Sequence, residues 1–347
     1  MAVHQKWRLN ITVHQEGLGQ LPGGASSRKR SFADLVSGSA GPSLGMTSEG
    51  TIQFAFNEEC FKTVEFGGFK WTAREFVNCE SASSTEKCTE LTCDAPTNDD
   101  GSINHSILWT CLAKGRFELT DSSGSKQATF HTWNYRFDQV NGEIHLHRSI
   151  SSYNSARGVS ATKSFGRIHI EIIESVCTDL SERENALTKD TSDAAKFRCF
   201  GDEFWLSKKV LAVHSPFFEN LFTKNSKKEK DELYELEDED INVFSQFLYI
   251  IHDVPTQITG VWVEYLLEIG EKFMCKKVLQ RCEEFLHNAD TKDMPLSKKF
   301  QLADDFDLKK LLMDAVEKMT IDELKFLPRS EMFEFALDVV SQKMFSF

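Results

Sequence analysis

Near residue 193 the hydrophobic period of this chain changes from two to mostly helical spacing, and that change forces at least two folds into one polypeptide. A strand repeats its face every second residue and a helix every three or four, so a single pattern cannot serve both halves. The switch follows a polar stretch, 178–192, that has no sustained apolar face and reads as a linker. At 347 residues the chain is long enough for two or three domains.

Before the switch, 51–177 reads as β. Phe54, Phe56, Phe61, Val64, Phe69, Trp71 and Phe76 crowd into short runs. The run 129–137 puts Thr129, His131, Trp133, Tyr135 and Phe137 on one face, and Ile144, Leu146, Ile168, Ile170 and Ile172 keep the period of two. Gly67-Gly68, Asn98-Asp-Asp-Gly101, Asp121-Ser-Ser-Gly124 and Asn141-Gly142 are turn signals. Many short strands with regular turns predict an antiparallel sandwich. Residues 1–50 hold a strand-like piece around Trp7 to Val13, then a Gly-, Ser- and Pro-rich stretch. Residues 1–50 are expected to be a largely disordered N-terminal segment, because the Gly-, Ser- and Pro-rich stretch buries too little apolar surface to offset its ordering entropy.

After the switch, Phe197-Arg-Cys-Phe200 and Glu203-Phe-Trp-Leu206 predict a short hairpin around Gly201-Asp202. Ser215-Pro216 predicts a helix start, since Ser caps and Pro suits a first turn whose N–H has no partner. Asp240 caps a stripe of Ile241, Phe244, Phe247, Leu248 and Ile251; further stripes run through Trp262, Leu266, Ile269 and Phe273, through Val278, Cys282 and Leu286, and through Leu308, Leu311, Ala315 and Met319. Thr320 with Glu323 forms a capping box. The run 332–345 is apolar nearly all round and needs something to pack against.

The formal charge of −13 argues against gripping phosphate backbones, so no nucleic acid partner is expected. Nothing approaches a membrane span, and Lys6 and Arg8 are followed by no apolar segment of the kind a secretory signal needs. Nine cysteines, an odd number spread over a long chain, fit reduced thiols in the cytoplasm, the nucleus or both. There is no phosphate-binding glycine loop ending in Lys-Ser/Thr, no nucleophile elbow and no His-Glu-x-x-His, so neither catalysis nor a cofactor is expected. Cys88-x4-Cys93, with Cys79, His105 and Cys111 nearby, is one loose pair rather than the two tight knuckles zinc prefers. His145-x-His147 reads as an exposed strand face, and no metal is expected. Arg28-Lys-Arg30 and the mixed-charge run 224–240 read as solvated linker and loop.

The segment Phe204-Trp-Leu-Ser-Lys-Lys-Val-Leu-Ala-Val-His-Ser-Pro-Phe-Phe-Glu-Asn-Leu-Phe222 resembles the signature of the BTB/POZ domain, a protein-interaction module. The downstream order is similar too: Leu233-Tyr-Glu-Leu236 as a strand, 240–251 as a helix, and a closing helix pair ending in Cys282-Glu-Glu-Phe-Leu286. Phe66-Gly-Gly-Phe-Lys-Trp71, Gly158-Val-Ser-Ala161 and Ser164-Phe-Gly-Arg167 resemble the MATH (TRAF-like) domain. Together these resemblances imply an α+β multidomain chain: an antiparallel β-sandwich at 51–177, a BTB/POZ α/β domain at 193–290 and a helical extension at 291–347. They imply a non-enzymatic adaptor that dimerises, docks a cullin scaffold of a ubiquitin ligase, and holds an unidentified target protein through an extended segment on a sheet edge or groove. The implied dimer face is Phe204, Val210, Leu211 and Phe217, and the implied cullin face is Phe222, Ile241 and Phe244; for each, core packing is the other reading. Three features depart from the family. Ser207-Lys208 replaces a His-Lys pair, the strand-start Asp falls at Asp193 while spacing favours Ala194, and the loop 223–229 lacks an apolar-x-Glu signature. The last leaves open a scaffold or transcription-associated oligomer that binds no cullin.

Overall fold

The computed structural model describes residues 11–15, 48–55, 61–78, 86–95, 104–121, 129–147, 164–188, 190–225, 232–236, 239–328 and 332–345. The expected turns at 98–101 and 122–124, the run 158–161 and most of the stretch expected to be disordered lie outside these residues. The chain splits into two compact units, one of residues 17–179 and one of 1–16 with 180–347.

The first unit is two four-stranded antiparallel sheets. One runs β2 (Glu49–Ala55), β9 (Ser164–Asp179), β6 (Ile107–Asp121), β7 (Thr129–Asp138). The other runs β3 (Lys62–Phe66), β4 (Phe69–Asn78), β5 (Glu86–Asp94), β8 (Glu143–His147). Their inward residues share one core: Trp71, Ala73, Leu91 and Cys93 from the second sheet, and Ile52, Cys111, Phe117, Phe137, Ile168 and Ile170 from the first. Trp71 meets Phe137 edge to face across the sheets, with centroids 5.3 Å apart. Of the predicted face of the 129–137 run, Trp133 and Phe137 are buried and Tyr135 is half-buried against the core, while His131 is exposed. Gly67 and Gly68, with φ of 62° and 80°, make the turn that pairs Phe66 with Phe69. Gly115 is needed for a different reason: a Cβ there would lie 2.0 Å from the His169 carbonyl and 2.5 Å from the Trp133 ring.

In the second unit, β10 (Ala194–Cys199) and β11 (Asp202–Ser207) form the predicted hairpin, turning at Phe200 and Gly201 with φ of 51° and 95°. β12 (Glu232–Leu236) joins β10 in parallel, and β1 (Ile11–Gln15) closes the sheet antiparallel to β12. The strand-like piece near the N-terminus is therefore the edge of a sheet whose other strands follow the whole β-unit. Nine helices among the described residues complete the unit: α1 (Lys208–His214), α2 (Pro216–Asn225), α3 (Ile241–Ile251), α4 (Val263–Lys272), α5 (Lys276–Asn288), α6 (Leu296–Asp305), α7 (Lys309–Lys318), α8 (Ile321–Lys325) and α9 (Glu334–Phe345). None is long and apolar enough to cross a membrane.

The predicted caps are present. Ser215 accepts from the Phe218 amide, Asp240 from the amides of Asn242 and Val243, and Thr320 with Glu323 makes both bonds of the capping box. The core of this unit is aromatic: Phe273 lies 4.9 Å from Phe218 and 5.2 Å from Phe247, and Phe197 stacks on Tyr234.

Two regions differ from expectation. The polar stretch read as a linker is packed on β11: Leu180 is fully buried and its carbonyl accepts from the Trp205 amide, while Asn185 donates to the Trp205 carbonyl. Its few backbone bonds and one leucine do the anchoring, which periodicity cannot register. Helix α9 finds the packing its apolar run called for on α7 and α8, burying Ala336 and Val340, but its all-round apolar character is only half used: Phe335 and Phe345 stay exposed.

Candidate interaction surfaces

In the β-unit, β8 pairs with β5 alone and so forms one edge of its sheet among the described residues. The pleat sends Ile144 and Leu146 to the core side, and Glu143 and His145 to the outer face. Cross-strand register builds two rows there. One runs Arg74, Glu90, His145; the other runs Thr63, Thr72, Thr92, Glu143. Arg74 clasps Glu90 with two nitrogens, Nη2 donating at 2.9 Å, and the carboxylate drives the guanidinium pKa up. His145 Nε2 stands 3.7 Å from both Glu90 and Glu143. These three residues have metal-ligand types within reach of one another, but Arg74 already holds the buried member, which makes the set an ion-pair row rather than a cation cage. Tyr135, half-buried on neighbouring β7, has its phenol pKa raised by burial and then by Asp138 and Glu143.

The outer face of the other sheet carries a groove of about 920 Å³ around Gly115, crossed by the Lys114–Glu171 pair and by His169, which bonds Thr51 and lies 3.4 Å from Glu118. Lys114, Arg116 and Glu171 are paired within the sheet. The loose cysteine set forms no metal cluster among the described residues: Cys93 and Cys111 are buried together in the core, and burial pushes the Cys93 thiol well up.

In the second unit the residues of the two implied faces divide. Phe204, Leu211 and Phe244 have no exposed surface, and Phe204 packs on Phe244 with centroids 6.0 Å apart. For these three the core reading accounts for the apolar pattern, since a side chain without surface offers a partner nothing. Val210, Phe217, Phe222 and Ile241 keep part of their surface. Exposed neighbours such as Val213, at 79%, carried no periodic signal. Asp193, rather than Ala194, meets the Ser207-Lys208 turn: its carboxylate accepts from the Ser207 hydroxyl and from the Lys209 amide at 3.0 Å, so Ser207 serves as N-cap of α1.

Comparison with known proteins places these surfaces in a family context. Residues 185–290 match the BTB/POZ domain. The chain is 30% identical over 133 residues to BTB and MATH domain-containing protein 38 of Caenorhabditis elegans, covering 38% of this chain and 34% of that protein. It is 23% identical over 241 residues to BTB and MATH domain-containing protein 36 of the same organism, covering 65% and 71%. Over 86 residues it is 30% identical to Kelch-like protein 40 of Xenopus tropicalis, covering 25% and 14%. The chain thus spans about a third of the first relative and under three quarters of the second.

Proposed function

From a BTB/POZ domain standing behind an N-terminal MATH-like β-sandwich, we propose that this chain is a protein-interaction adaptor that couples a target protein to a cullin-type ubiquitin ligase. The β-unit holds the target as an extended segment along the open edge of β8, where a strand can add to the sheet. The BTB/POZ domain pairs with a second copy and docks the cullin, through the partly exposed Val210 and Phe217 on one face and Phe222 and Ile241 on the other. Two copies present two target edges at once and raise apparent affinity through effective concentration. Such an adaptor works in the cytoplasm or the nucleus, where thiols such as Cys199 and Cys282 stay reduced.

The observation that carries this reading is the pairing, in one chain, of the BTB/POZ match with a sandwich in which β8 is an edge strand among the described residues. Its test is retention of purified cullin N-terminal domains by the immobilised full chain, with light scattering on the same sample. One cullin held at one per protomer on a dimer is the expected result. A well-folded dimer that holds none sinks the ligase reading. It would leave a scaffold or transcription-associated oligomer, which the loop 223–229, without its apolar-x-Glu signature, favours.

A further inference from the structure

We infer that the edge of β8 selects a cationic target segment, with a lysine or arginine set opposite Glu143 and apolar residues set toward Ile144 and Leu146; this rests on the reading of the β-unit as the target-holding part. A strand that adds to β8 continues the existing rows by one residue each, because side chains on one face of a sheet stand opposite their neighbours at about 5 Å. The inner row would extend from Ile144 and Leu146, which belong to the core, so it calls for apolar side chains.

The outer rows differ in charge. In the row Arg74, Glu90, His145 the buried carboxylate already has its cation, with Arg74 on the β4 side. In the row Thr63, Thr72, Thr92, Glu143 the first three members are uncharged hydroxyls, two of them bonded to each other at 3.1 Å. That row supplies no lysine or arginine to Glu143, whose side chain keeps 56% of its surface; on the sheet side it has the His145 ring at 3.7 Å and the field of Arg74, which Glu90 already clasps. The neighbourhood is acidic beyond this row: the Asp138 carboxylate, buried and bonded by Asn141, acts on Tyr135 together with Glu143. Among the described residues no strand lies on the side of β8 away from β5, so a full cation fits there, and a segment alternating apolar and basic residues fits both rows. A glutamate at the same place would stand directly opposite a like charge, which is unfavourable by a similar amount.

The test uses the full chain and two fluorescein-labelled synthetic octapeptides, one alternating valine with lysine and one alternating valine with glutamate, read by fluorescence anisotropy. The lysine peptide is expected to bind roughly three- to tenfold tighter, and Glu143→Lys is expected to reverse the order. Glu65→Lys, which makes the same charge change on β3 at the far edge of the same sheet, is expected to leave the preference as it was. Equal binding of both peptides, binding of neither, or reversal by Glu65→Lys as well would overturn the inference. Cullin retention is read separately: a chain that holds a cullin but shows no peptide preference loses this inference and keeps the adaptor reading, and the converse result does the opposite.

Discussion

Lys343 shows how much a single side chain can tie together. Its ammonium donates to the carbonyls of Val316, Glu317 and Met319 at 2.8, 2.7 and 2.6 Å, closing the end of α7 from α9. Lys277 does the same for the Ile251 carbonyl at the end of α3, and Lys299 for Ala289 just after α5. A cation at the negative end of a helix dipole that also satisfies its last carbonyls contributes about 1–2 kcal/mol. Lys343→Met should therefore lower the urea midpoint and speed amide exchange at the end of α7, while leaving α3 protected. Phe204 tests the opposite of a surface role: Phe204→Ala should cost about 3–5 kcal/mol as a core cavity and give an unfolded domain by circular dichroism, not a folded monomer. His252 sets a pH dependence. It is largely buried, its Nε2 has no hydrogen-bond partner among the described residues, and its pKa falls from 6.5 to about 4 through burial, then through His214 and Lys277, against the pull of Asp253. The unfolded chain thus takes up this proton near pH 6.5 and the folded one only near 4. Stability contributed by the neutral ring is present above 6.5 and lost as pH falls to 4, by roughly 3 kcal/mol. His252→Gln should flatten the melting temperature across that window.

At the scale of elements, periodicity and caps were legible, and pairing was not. The alternation in 129–137, the glycine turn at Gly67-Gly68 and the caps at Ser215, Asp240 and Thr320 are local patterns, and each produces the element it announces. That Glu143 ends an uncharged row while Glu90 meets Arg74 depends on register between residues 51 positions apart for Thr92 and Glu143 and 16 for Arg74 and Glu90, which no local pattern encodes. Gly115 illustrates the same limit. In sequence it is an isolated glycine in a strand; in the sheet it is where Trp133 lies against the β6–β9 ladder. Gly115→Ala should push these strands apart and destabilise the β-unit by about 2 kcal/mol or more, measured as an earlier unfolding step.

For the whole molecule, the two units have separate cores and should unfold separately. Calorimetry of the full chain is expected to show two transitions, with Gly115→Ala shifting one and leaving the other in place; a single transition moved as a whole would contradict that independence. The sequence by itself determined the two fold classes, their order and the helix starts, because hydrophobic period and capping act over a few residues. It also carried the BTB/POZ signature, because that signature is a contiguous segment. Only the tertiary structure decided that Ile11–Gln15 closes a sheet formed by strands beyond residue 193, that 180–188 docks on β11, and which apolar residues of the signature are core and which keep a surface. An amphipathic stripe states that a face will be covered. What covers it, and whether Phe204 meets Phe244 or a partner, follows from how distant elements pack.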